Sequence, residues 1–126
     1  MRVPLTQPTA APAPDAVLGK ATLAAARHLG ISNRELARIL GTSDASISRL
    51  AGDRAVRLDS AEGRLAVLFV RLFRSLDTLM GGDEAQARAW FRAANAHLGG
   101  VPSDRVQSIE GLVDVVHYLD AMRGKL

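Results

Sequence analysis

Residues 32–50, SNRELARILGTSDASISRL, constrain the fold of this chain more than any other stretch. Ser32 and Glu35 stand at capping-box spacing, where a hydroxyl and a carboxylate satisfy the open backbone amides of a helix start. Leu36, Ala37 and Leu40 then form an apolar stripe, and Ala37 is small enough for a second helix to cross closely. Gly41 follows, the residue type that takes left-handed backbone angles at no steric cost. Ser43 can cap a second helix whose Ile47 and Leu50 face inward. Asp44, Ala45, Ser46, Ser48 and Arg49 are left outward. This layout predicts a helix-turn-helix. Its outward face suits a major groove, because short side chains allow close approach and an arginine can grip a guanine edge or a phosphate. An ordinary helical hairpin inside a bundle is the plainer alternative. Agreement of cap, turn and outward face at independent positions favours DNA reading.

Charge placement points the same way. Residues 1–60 carry eight basic and five acidic side chains, and residues 61–126 carry eight of each, so the whole net charge of +3 lies in the first half. A phosphate-facing module has this bias, although a solvated face with no partner would share it. So small an excess predicts weak binding by one module and a need for pairing.

The chain divides into four parts. Residues 1–14 hold four of the five prolines and no apolar periodicity, which predicts a flexible arm. Residues 15–58 form the helix-turn-helix domain, opened by a helix over 15–29 with Asp15 as its cap and Gly30 as its stop. Arg54 and Arg57 lie past the second helix of the motif, placed to meet the DNA backbone. Residues 59–82 predict a long connecting helix, with Asp59 and Glu62 as a capping pair. Its Leu65, Leu68, Phe69, Leu72, Phe73, Leu76, Leu79 and Met80 recur at three- and four-residue steps. Such a stripe is wide enough to serve both a core and a homodimer contact. Arg64, Arg71 and Arg74 fall between these positions as a solvated face.

Residues 83–126 predict a small helical unit: a helix over 84–97 with Ala85, Ala89, Trp90 and Ala93 on one side, a Gly99–Gly100–Val101–Pro102 loop, a short helix from Ser103, and a last helix. On that last helix Ile109, Leu112, Val113, Val116, Leu119 and Met122 align on one face. Lone Trp90 reads as a core anchor. No internal repeat is visible. The fold class is therefore all-α.

Catalytic chemistry is not apparent. His28, His97 and His117 fall in different helices without metal-ligand spacing, acidic residues stand as caps rather than a facing pair, and the glycine pairs are helix stops rather than a phosphate loop. Neither a cofactor nor a metal is expected. With no cysteine, no apolar run of membrane length and no hydrophobic leader, the expected compartment is the cytoplasm.

Three segments carry a family resemblance: LGISNRELARILGTSDASISRLAGD, then LFVRLFRSLDTLMGGDEAQARAWFRAANAHLGGVP, then SIEGLVDVVHYLDAMRG. Together they resemble an antitoxin of the MbcA/ParS/Xre type, the kind paired with RES-domain toxins. The resemblance implies an N-terminal DNA-binding half and a C-terminal toxin-binding half. It implies a RES-type toxin that degrades NAD and whose NAD pocket the antitoxin blocks. On this resemblance Trp90, Gly99, Gly100 and Pro102, with the tail Met122, Arg123, Gly124, Lys125 and Leu126, are the toxin-binding candidates. Gly124 is expected to release that tail from the last helix.

The combined reading is an antitoxin and autorepressor that binds operator DNA through Ser43–Arg49, Arg54 and Arg57, and a toxin through residues 83–126. A stand-alone regulator whose C-terminal half only dimerises is the alternative, and a plasmid-partition or scaffolding protein is a third.

Overall fold

The computed structural model describes residues 13–125; the arm expected over 1–14 therefore lies almost wholly outside the described residues, as does Leu126. Among the described residues seven α-helices and one 3-10 turn follow one another, with no strand. They are α1 (Pro14–Leu29), α2 (Asn33–Leu40), α3 (Asp44–Leu50), α4 (Ala61–Leu79), α5 (Glu84–Arg92), the 3-10 turn Ala96–Leu98, α6 (Pro102–Arg105) and α7 (Ile109–Arg123).

Helix α4 is the axis of the molecule, packed on one side by α1 and on another by α7. Phe69, Leu72 and Leu76 point into that junction and are fully buried, as are Leu29, Ile47 and Val56 from the N-terminal part and Phe91, Leu112 and Val116 from the C-terminal part. One continuous core therefore serves both halves. The α4 stripe is spent largely inside the chain: Leu65, Leu68, Val70, Phe73 and Leu79 are partly buried against the core, and Val67 is left outward. Leu72 in particular belongs to the core, where a charge could not be solvated.

Several local expectations need correction. Pro14 is the first residue of α1, and Ala13 precedes it without a side-chain cap. Asp15 is spent elsewhere: its carboxylate accepts the Leu58 amide at 3.0 Å and ties the start of α1 to the loop before α4. Ser60, not Asp59, caps α4, and Glu62 turns to Arg54. Helix α5 ends at Arg92 rather than at residue 97, because Ala93 is extended and the Asn95 carboxamide accepts the His97 and Leu98 amides to start a new turn. It buries Ala87 and Phe91 in place of Ala85, Ala89 and Ala93, and Trp90 is half-buried. Ile109, expected on the buried face of α7, is 63% exposed.

A short repeat also emerges. The segments preceding and opening α4 and α7 share the pattern Arg-x-x-Ser-x-Glu-Gly, at Arg57–Gly63 and Arg105–Gly111. In each, the serine accepts the glycine amide (2.9 Å at Ser60, 3.0 Å at Ser108) and its hydroxyl donates to the arginine carbonyl. A Cβ on Gly63 or Gly111 would overlap that carbonyl, so the incoming chain crosses the first helical turn only where the side chain is absent.

Candidate functional site

Ser32 and Glu35 complete a reciprocal capping box at the start of α2, and Gly41 closes the helix with φ of 68°. Ser43 then caps α3. On α3 the Ser43 hydroxyl donates to Ser46 Oγ at 3.0 Å and Arg49 Nη2 donates to the same oxygen at 3.2 Å, a chain of contacts along the helix surface. Ser43, Asp44, Ala45, Ser48 and Arg49 are exposed and Ser46 is half-buried. The expected outward face is thus presented as one surface, with Arg49 its only long cation.

Arg54 and Arg57 part company. Arg54 is mostly covered: it donates to the Ser46 carbonyl at 3.3 Å and pairs with Glu62 on α4. Its guanidinium is committed to bracing α3 against α4 rather than offered outward. Arg57 is 71% exposed, and among the described residues its guanidinium pairs only with the equally exposed Asp59. Sequence reading paired Glu62 with Asp59 as a cap and so missed its part in orienting α3; no signal within one turn of Glu62 marks Arg54 as its partner.

The C-terminal half is tied to this module through α5. Arg88 donates to the carbonyls of His28 and Arg27, each at 2.8 Å, and Arg92 donates to the Gly30 carbonyl at 2.9 Å. These are carbonyls at and just past the end of α1, where cations are favoured. Arg92 also pairs with Glu35, the capping-box carboxylate of α2. That hydrogen bond holds the Glu35 carboxyl below the ordinary glutamate range, with the Ser32 contacts assisting against burial, and keeps Arg92 more firmly protonated. His28 Nδ1 lies 2.7 Å from Glu84 and its ring stacks on Phe73 at 5.3 Å; Glu84 is lowered by the histidine contact first and by Arg88 second.

Trp90, Tyr118 and His97 stack in series, with centroids 6.2 Å and 5.8 Å apart. They come from α5, α7 and the 3-10 turn, and the first two are half-buried. Gly99 takes φ of 68°, Gly100 pairs antiparallel with Asn95, and Pro102 is buried at the first position of α6. These three residues therefore shape the turn behind the aromatic stack. The chain end does not separate at Gly124 as expected. Gly124 keeps a right-handed φ of −65° and donates to Asp120, and Lys125 donates to Met122. Arg123 donates to the hydroxyl of fully buried Ser75 at 3.1 Å, and Ser75 donates to Asp120 at 2.9 Å, so the tail is fastened to α4 as far as Arg123.

The fold and the α2–turn–α3 surface define a helix-turn-helix protein with a second helical half docked behind it. Two family models match it side by side: the antitoxin Xre-like helix-turn-helix domain over residues 8–71, and the antitoxin Xre/MbcA/ParS C-terminal toxin-binding domain over residues 75–125. The chain belongs to the Xre-type antitoxins. Both families are regulatory and non-enzymatic. No curated protein matches the chain. Among the described residues, no helix is long and apolar enough to cross a membrane.

Proposed function

We propose that this antitoxin neutralises a RES-type, NAD-degrading toxin in the cytoplasm and, as a homodimer, represses its own operon. The observation that carries the reading is the adjacency of the two matched domains on one continuous core. The helix-turn-helix surface and the half matched to toxin binding thereby share one core. Ser43, Asp44, Ala45, Ser48 and Arg49 face the bases, Arg57 contacts phosphate, and Arg54 keeps α3 at the angle that presents them. Pairing follows from the small charge excess, since two modules engage two half-sites one helical turn apart. The toxin meets the C-terminal half through the Trp90 side and the end of α7, with Gly99, Gly100 and Pro102 setting the shape beneath. Lys125 and the terminal Leu126 reach the toxin in company with helix-bound Met122 and Arg123.

Co-expression with the product of the neighbouring gene, which this reading expects to be a RES-domain toxin, tests the pairing: the two are expected to co-purify, with NAD preserved. Gel shifts on the operon's own upstream DNA test repression. Tight DNA binding with no toxin association would leave the stand-alone regulator as the better description.

A further inference from the structure

Four large apolar side chains stand strongly exposed among the described residues, and three of them share one place. Val17 of α1, Leu58 of the loop and Val67 of α4, exposed by 48%, 42% and 43%, line a groove of about 640 Å³. Three such side chains gathered around one groove form a small apolar surface that a partner could cover. Arg71, Arg74 and Arg123 also line the groove. Arg71 is satisfied by Asp120 and Arg123 by Ser75, whereas exposed Arg74 has no ion-pair partner among the described residues.

The fourth exposed side chain is Ile109, the first residue of α7, and exposed Glu110 beside it likewise has no ion-pair partner among the described residues. An apolar knob flanked by an unpaired acid matches an apolar groove flanked by an unpaired base. The two lie at opposite ends of α7: Arg123 of its last turn lines the groove, and Ile109 is fourteen residues away, about 21 Å at the helical rise of about 1.5 Å per residue. A knob that far from its groove cannot fill it within one chain. Two chains related by a two-fold axis can each fill the other's, which gives two identical contacts from one self-complementary surface.

We infer that the α1–α4 groove receives the Ile109–Glu110 corner of a second copy of this chain, with Glu110 meeting the partner's Arg74. This rests on the homodimer proposed above and names its interface. The contact covers the four exposed apolar side chains of each copy and pairs Arg74 of one with Glu110 of the other.

The test is sedimentation equilibrium of the full chain and its surface variants, each checked for an unchanged helical spectrum. Val67→Glu and Ile109→Glu place a charge at exposed positions, and each is expected to raise the dimer dissociation constant by about tenfold or more. Arg74→Glu and Glu110→Arg are each expected to weaken the dimer, and the double variant to restore it. A monomeric wild type at tens of micromolar (roughly the range of a weak specific dimer) overturns the homodimer itself. A wild-type dimer indifferent to Val67→Glu and Ile109→Glu overturns only this interface, as does a double swap that stays weak. Open-ended oligomers would replace the two-fold pairing with a head-to-tail one. An unaltered dimer that loses toxin binding in Val67→Glu would hand the groove to the toxin.

Discussion

Helices α2 and α5 are joined by the Arg92–Glu35 pair, yet only one of them could be read from its own residues. Everything that defines α2 lies within a few positions of it: Ser32 and Glu35 exchange hydrogen bonds at its start and Gly41 turns it off. Helix α5 has a good local start at Asp83, but its face and its end are set from far away. Arg88 and Arg92 reach carbonyls about sixty positions back in the chain, which rolls Ala87 and Phe91 inward and leaves Ala85 and Ala89 in solvent. Local chemistry places helix ends well, whereas tertiary partners choose the face a short, alanine-rich helix buries.

The largest effect that sharpens this contrast is expected at Gly63 and Gly111. Both sit in short-range motifs that look alike in sequence, so both should respond alike despite lying in different halves. Alanine at either position forces its Cβ into a backbone carbonyl and is expected to cost about 3 kcal/mol, read from urea denaturation. A loss well under about 1 kcal/mol would mean that the preceding loop shifts freely and that the shared motif is not a packing constraint.

Next comes the surface that local signals built. Arg49→Ala is expected to weaken binding to the chain's own upstream DNA by about 1–3 kcal/mol, while Arg57→Ala lowers affinity for all sequences and flattens the salt dependence. Gel-shift titrations at two salt concentrations separate the two. Equal effects on specific and random DNA from Arg49→Ala would remove it from base recognition.

Smaller again is the tie between the two regions. Arg92→Ala removes the Glu35 ion pair and the Gly30 carbonyl contact, both partly open to solvent, and is expected to cost about 1 kcal/mol. Because Arg92 lowers the Glu35 carboxyl, the folded protein holds that proton less tightly than the unfolded chain does. Its contribution is therefore full above the ordinary glutamate range and is lost as pH falls through the lowered value. Stability measured from pH 7 downward should decline less steeply in Glu35→Gln than in the wild type. Parallel acid limbs would show that α5 is held by its apolar contacts alone.

The same divide explains how much of the molecule was legible. The all-α class, the capping box, the turn at Gly41 and the outward residues of α3 were all encoded within one or two helical turns. Asp15 and Glu62 looked like caps because each lies at a helix start, but their partners, Leu58 and Arg54, are found only once the chain has folded. The end of α5 escaped because Asn95 acts through a pairing with Gly100 that has no helical period. The fastening of Arg123 to Ser75 was hidden for a similar reason: a serine in the middle of an apolar stripe gives no sign of which cation it will hold.

That one half of this chain meets DNA while the other disarms a toxin is tested most directly by cellular NAD. A RES-domain toxin, the partner proposed for it, would be expressed alone, with the full chain, and with the Arg49→Ala chain at matched levels. NAD is expected to collapse with toxin alone and to stay near the toxin-free level with either chain, since the side chain proposed to read DNA is not expected to take part in neutralisation. NAD that collapses equally in the presence of well-expressed full chain would contradict the antitoxin reading outright.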